Sequence, residues 1–179
     1  MLLGVVLAGG KSGRFGSDKA LAELNGQTLL ARAVDALSGW CEYVVVAGRE
    51  TAPAPTLPDW PAADMGPLAG LAAALHLARD EGYEAVLSLG VDSAGLPDNL
   101  PEWLGAESPP VAAAYIASQP VIGLWPVRAV DAIEAILTGT GRHSMRALAE
   151  AVGARAVDLP APPDNINTPT DLAALQRNA

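Results

Sequence analysis

Cysteine occurs once in this chain, as Cys41, and histidine twice, as His76 and His143. A single thiol excludes an internal disulfide and a thiolate zinc site, so the expected compartment is a reducing cytoplasm. The two histidines lie far from each other and from Cys41, which leaves no ligand spacing for zinc. No run of about 20 apolar residues occurs, so no membrane-spanning helix is expected. Met1 to Ala8 is apolar but short and has no basic flank, and it reads as a buried strand rather than a signal peptide. Basic residues are scarce, 11 Lys and Arg against 20 Asp and Glu, for a formal net charge of -9. That balance argues against a nucleic-acid backbone or an anionic membrane as partner, and an anionic ligand must be held by a local device. A nucleophile elbow of the form Gly-x-Ser-x-Gly at a strand end is also missing, which sets hydrolase chemistry aside.

What is present is a chain of 179 residues, half of them apolar, enough for one α/β domain with a real core and short for two. Val5 to Leu7, Tyr43 to Ala47 and Ala85 to Leu89 are short apolar runs that read as strands. Between them, Leu29, Val34 and Leu37, then Leu68, Leu71, Ala72, Leu75 and Leu77, have helical spacing. Alternating units of this kind predict a mostly parallel sheet covered on both faces. Val111 to Ile116 and Val121 to Trp125, separated by residues 117–120, read as an antiparallel or edge excursion. Helices are expected from Arg128 to Leu137, from Ser144 to Val152, and after Thr168, where Pro169 takes the first helical position. The Pro- and Ala-rich stretch from Gly48 to Asp59 has no periodicity and reads as a surface loop. The four tryptophans lack regular spacing and read as packing residues, Trp60 beside Asp59 being the one placed to line a site. Arg142, His143 and Arg146 read as a solvated helix start.

After the first strand comes Leu7-Ala8-Gly9-Gly10-Lys11-Ser12-Gly13-Arg14-Phe15-Gly16-Ser17-Asp18-Lys19, a cationic glycine-rich loop at the carboxyl end of a parallel strand, where open α/β sheets bind ligands. Its glycines let backbone amides approach a polyphosphate, Arg14 offers a bidentate grip on phosphate oxygens, and Lys11 and Lys19 offer point charges. The spacing is neither that of a Walker loop nor that of a dinucleotide fingerprint. Gly66-Pro67-Leu68 makes a turn into a helix whose free amides suit an anion or a carbonyl oxygen. Asp92 closes the strand Leu87-Ser88-Leu89-Gly90 on the same carboxyl edge, where a carboxylate either holds Mg²⁺ or caps the Asp-Ser-Ala-Gly turn. Asn165 and Asn167, one residue apart, project the same way from an extended segment and either bind oxygen acceptors or shape the loop before the last helix.

Leu-Ala-Gly-Gly, then Ser12, Arg14, Gly16, Asp18-Lys19 and Leu24-Asn25-Gly26, resembles the molybdenum cofactor guanylyltransferases and their wider nucleotidyltransferase superfamily. The likeness continues in Asp64-Met65-Gly66-Pro67-Leu68-Ala69-Gly70 and in Asn165-Ile166-Asn167-Thr168-Pro169, and so covers most of the chain. It implies a three-layer α/β/α, Rossmann-like fold with a mostly parallel sheet of the nucleotide-diphospho-sugar transferase type. It also implies transfer of GMP from GTP to the terminal phosphate of molybdopterin, with Mg²⁺ as cofactor and pyrophosphate released. Under it, Lys19 and Arg14 stabilise the triphosphate and Asp92 holds the metal. The nucleotide is bound by Leu7, Ala8, Gly9, Gly10, Lys19, Asp59, Gly66, Pro67, Leu68 and Asp92, and the pterin by Asn165 and Asn167. Transient contact with other cofactor-biosynthesis proteins or recipient molybdoenzymes follows as an expectation.

Two departures stand out: Ala47, where such relatives often carry Asn, and the Ser93-Ala94-Gly95 turn after Asp92, in place of Cys-Asp followed shortly by Pro. The alternatives are a related nucleotidyltransferase using CTP or a sugar-phosphate acceptor, and a nucleotide-binding accessory protein without catalysis. Leu-Ala-Ala-Gly in place of Leu7-Ala8-Gly9-Gly10 is commoner in the former, so the resemblance favours guanine.

Overall fold

A computed structural model describes residues 1–10, 16–106 and 112–178. The expected strands and helices form, and the order of the sheet explains where ligands can enter. Strands β1 (Leu2–Leu7), β4 (Tyr43–Ala47) and β6 (Ala85–Gly90) lie side by side and parallel, with β1 between the other two. These are the three runs without a polar period, and both faces of each are covered, as a central parallel strand requires.

The remaining elements extend that centre. The chain from Gly48 to Asp59 is not loop throughout: Thr56–Leu57 forms a short edge strand, β5, parallel to β4. Two residues are too few to leave a period, so the pairing was invisible in composition. On the other side, β8 (Ala114–Ile116) and β9 (Gln119–Pro126) make an antiparallel hairpin with a bulge at Tyr115/Ile116. Only Ala117 and Ser118 turn, while Gln119 and Pro120 already belong to the strand. The hairpin is no edge excursion, because β9 pairs antiparallel with β6 and β10 (Arg155–Val157) lies beyond β8. Val111, expected to open β8, lies outside the described residues.

Alternation along β1 divides the core in two. Leu3, Val5 and Leu7 face α2 (Pro67–Glu81), α4 (Val130–Thr138) and α5 (Met145–Val152), whereas Val6 faces α1 (Leu29–Ser38) and α3 (Leu100–Leu104). This is the three-layer α/β/α arrangement. Trp125 is fully buried, and its Nε1 donates to Ser88 Oγ at 3.0 Å, which in turn donates to the Val121 carbonyl at 2.7 Å. A buried indole thereby keeps its polar atom satisfied.

Helix starts follow local chemistry. Thr28 caps α1 by accepting from Ala31 N at 3.1 Å, Ser144 caps α5 by accepting from Ala147 N at 3.2 Å, and Pro67 stands first in α2. A 3-10 turn, Val127–Ala129, precedes α4 and accounts for the early start expected there. The last helix, α6 (Pro169–Asn178), opens with a reciprocal cap in which Thr168 Oγ1 accepts from Asp171 N and an Asp171 carboxylate oxygen accepts from Thr168 N. Two small pairings complete the fold: β2 (Glu23–Leu24) with β3 (Gln27–Thr28), and β7 (Ser93–Ala94) with β11 (Asp164–Asn165), both antiparallel.

Candidate active site

The carboxyl ends of β1, β4 and β6 bring three sequence-distant segments to one edge. Gly9 and Gly10 leave β1 there, and Ala8 N donates to the Ala47 carbonyl at 3.0 Å. Gly48, at φ +84°, turns the chain immediately beside them, and a Cβ at that position would stand 2.5 Å from the Gly9 Cα. Only glycine permits both the backbone angle and the approach.

A cleft of about 870 Å³ opens at this junction. Gly9, Gly10, Gly48, Leu57, Asp59 and Gly66 are among the residues that line it. Gly66 is the residue before α2, so the amide end of that helix reaches the cleft. The side chains of Leu7 and Leu68 are in the core, at 6% and 0% exposure, so either residue can meet a ligand only through its backbone. Burial pushes the Asp59 carboxyl above its ordinary range, with a smaller push from the neighbouring Asp64 charge. Trp60, beside it in sequence, turns away: its ring stands edge-on to His76 of α2 at 4.8 Å, and the imidazole Nε2 lies 2.7 Å from Glu134 Oε1.

Ala47 is not a cleft residue. It is 1% exposed, and its Cβ would lie 2.9 Å from a Cβ built on Gly70 of α2, so a side chain at 47 points into the helix above β4. Ala47 itself presents no side chain to the cleft.

A second cluster forms alongside. Lys19 begins a 3-10 turn, Lys19–Leu21, whose cap is Asp18. Its Nζ donates to Asp92 Oδ2 at 3.3 Å and to the Ile166 carbonyl at 3.0 Å. Asp92 stands just past β6, and its own carbonyl accepts from Ile166 N at 2.9 Å. Asp92 therefore pairs with an ammonium group, and the Ser93-Ala94-Gly95 turn is organised by pairing with β11. Ser93 lies opposite Asn165 across that pair. Ser93 Oγ donates to Gln119 Oε1 at 3.0 Å and Gln119 Nε2 to the Pro163 carbonyl at 2.8 Å, holding both strands to β9. Ile166 is fully buried, while Asn165 on one side of it is exposed and Asn167 on the other is half-buried. Asn167 N donates to an Asp171 carboxylate oxygen at 2.9 Å.

Lys19, Asp92 and the Asn165–Asn167 segment thus meet. Arg14, with Lys11, lies outside the described residues. Arg49 was missed by sequence reasoning. It lines the cleft and an adjoining recess of about 510 Å³, and its Nη1 and Nη2 donate to the two Asp18 carboxylate oxygens at 2.9 and 2.8 Å. Its position two residues past a parallel strand, on the edge that carries the glycine loop, was the available signal.

The chain matches the family described as MobA-like NTP transferase domain over residues 4–159. It belongs to the MobA-like NTP transferase family. Among the relatives of this MobA-like transferase, the molybdenum cofactor guanylyltransferase of Acidiphilium cryptum is 40% identical over 186 residues, with 98% of the chain and 94% of the relative covered. That of Rhodobacter capsulatus is 36% identical, with 96% and 93% covered. In structure, the transferase superposes on molybdopterin-guanine dinucleotide biosynthesis protein A from Archaeoglobus fulgidus with a TM-score of 0.73 at 19% identity, covering 99% and 98% of the two chains. The 2-C-methyl-D-erythritol 4-phosphate cytidylyltransferase of Thermus thermophilus gives 0.70 at 18% identity, with 97% and 96% covered, so the fold is shared across nucleotidyltransferases with different substrates.

Proposed function

We propose that this chain, as one nucleotidyltransferase domain, transfers GMP from GTP to the terminal phosphate of molybdopterin. A terminal phosphate oxygen of the acceptor attacks the α-phosphorus of GTP, the bond between that phosphorus and the bridging β-phosphate oxygen breaks, and pyrophosphate leaves. The attacking oxygen already carries charge, so the protein supplies alignment and charge neutralisation rather than a covalent nucleophile. The observation that carries the reading is the bridge from Lys19 to Asp92 and Ile166, which sets a cation beside the glycine-rich edge and the Asn165–Asn167 segment.

The roles divide by position. The Leu7 to Gly10 backbone and the Gly66-Pro67-Leu68 turn receive the nucleotide. Asp59 faces the cleft as an acceptor, which suits guanine, whose N1 and N2 both donate. Lys19 and Arg14 balance triphosphate charge, and Asn165 and Asn167 receive the pterin phosphate end. Mg²⁺ fits the donors present: Asp92 offers a hard carboxylate oxygen, and this ion is typically held by one or two carboxylates with water and substrate phosphates completing its shell. When bound, it neutralises phosphate charge and orients the triphosphate.

We place the reaction in the cytoplasm, in keeping with the lone cysteine. Among the described residues no helix is long and apolar enough to cross a membrane. Direct hand-over to other cofactor-biosynthesis proteins or recipient molybdoenzymes belongs to the same reading. The test is pyrophosphate release with molybdopterin and Mg²⁺, comparing GTP, CTP, ATP and UTP. Preference for GTP is expected. Preference for CTP moves the chain to the cytidylyl branch, and no release with any nucleotide leaves a binding protein without catalysis.

A further inference from the structure

Lys19 must be held in place by something other than its own flexible stem. The covalent route from β1 to Lys19 spans residues 8–18. Asp18 provides a shorter route. As the cap of the 3-10 turn its Oδ1 accepts from Ala20 N at 3.2 Å, and the same carboxylate takes both Nη donors of Arg49.

Arg49 is itself anchored. It follows Gly48, which is pressed against Gly9 and whose N–H donates to the Leu57 carbonyl at 3.4 Å. Its side chain is 17% exposed against 45% for Asp18. Its Nε is buried and, among the described residues, has no hydrogen-bond partner. Two Nη donors on one carboxylate fix the guanidinium by a bidentate, charge-assisted grip. The Arg49 fork also holds the Asp18 carboxyl below the usual carboxylate range, so the pair stays ionised at neutral pH.

We propose that Arg49 is a positioning residue for nucleotidyl transfer: through its two-point hold on Asp18 it ties the turn that carries Lys19 to the end of β4, and so sets the Lys19 ammonium against Asp92. This rests on the transferase reading of Lys19 given above. Arg49 lines the cleft as well, so a direct ligand contact is the competing role, and the two roles separate in kinetics. A positioning residue acts on the step that Lys19 serves, whereas a ligand contact equal in ground and transition states acts on KM.

The experiment is steady-state pyrophosphate release by the full chain with Arg49→Gln, Arg49→Lys, Asp18→Asn and the Arg49→Gln/Asp18→Asn double variant. Misplacing a catalytic group by about 1 Å costs up to roughly a hundredfold in rate, so each single variant is expected to lose about ten- to a hundredfold in kcat with the nucleotide KM changed by less than about threefold. The double variant is expected to be no worse than either single one, and Arg49→Lys to rescue poorly because a point charge cannot hold both oxygens. Asp18→Asn is the informative partner, since Asp18 is assigned neither to the nucleotide nor to its metal in the reading above. Losses confined to KM, losses that multiply in the double variant, or a fully active Asp18→Asn each overturn the proposal. If Arg49→Gln proves unfolded by circular dichroism, the Asp18→Asn and Arg49→Lys comparison decides alone. A wild type that releases no pyrophosphate with any nucleotide overturns the transferase reading and this proposal together; an active wild type with unaffected variants overturns only this one.

Discussion

Lys19 Nζ lies 3.3 Å from Asp92 Oδ2 and 3.0 Å from the Ile166 carbonyl, so one ammonium joins the end of the glycine-rich loop, the end of β6 and the segment before α6. The lysine side chain is 16% exposed and the aspartate 26%, which keeps the pair short of full solvent screening.

Lys19→Ala is expected to lower kcat by about a hundredfold or more, the usual cost of losing a donor directed at developing phosphate charge. The far-ultraviolet circular dichroism spectrum should remain that of the wild type. Lys19→Arg keeps the charge but changes its shape and reach, and is expected to recover little. Near-normal turnover by Lys19→Ala would remove this residue from the chemistry.

Asp59 carries a cost in the free protein. Its carboxyl is raised by burial first and by Asp64 second, so its ionised form costs more in the folded protein than in the unfolded chain. The sign follows: ionised Asp59 opposes folding at neutral pH, and the penalty is relieved as pH falls through its raised folded value. Asp59→Asn should therefore melt no lower than the wild type and show less gain on mild acidification. Its affinity for GTP should fall about tenfold or more, because a hydrogen bond to a charged group contributes roughly 1.5 to 3 kcal/mol. Thermal melts from neutral to mildly acid pH, with calorimetric titration of GTP, measure both; a lower melting temperature with unchanged affinity contradicts the assignment.

Ala47→Asn tests where the side chain at position 47 points. The Ala47 Cβ already sits where a Cβ on Gly70 would be only 2.9 Å away, so a larger polar side chain overpacks α2 against β4. The expected cost is about 1 to 3 kcal/mol of stability with no gain in nucleotide affinity. A stable variant with tighter GTP binding would return position 47 to the cleft.

Cys41 is expected to be inert in the folded protein. Its thiol is pushed up to about 12, by burial first and then by the Glu42 charge, and its sulfur packs against Gly4 beneath α1. Reaction with a thiol-specific disulfide reagent at pH 8 should be slow, and should become rapid in denaturant. Fast modification of the native protein would show that this layer opens readily.

Much of this was legible in the chain. The apolar runs of β1, β4 and β6 and the helical spacing of α1 and α2 are long enough to leave a period, and Thr28, Pro67, Ser144 and Pro169 are local signals for helix starts. Short elements were not legible. β5, β7, β10 and β11 are two or three residues long, and each exists because a partner strand offers hydrogen bonds. The inward turn of Trp60 and the burial of Ala47 depend on α2 lying over β4, which composition does not encode.

By itself the sequence determined the α/β class, the cationic glycine loop, the helix starts and the carboxylate at a strand end, because each depends on neighbours within a few positions. Only the tertiary structure decided that Lys19 meets Asp92 and Ile166, that Arg49 grips Asp18, and that Ala47 lies outside the cleft. Those pairings join residues tens of positions apart, and they are set by the strand order of the sheet and the packing of helices on it, which no local pattern carries.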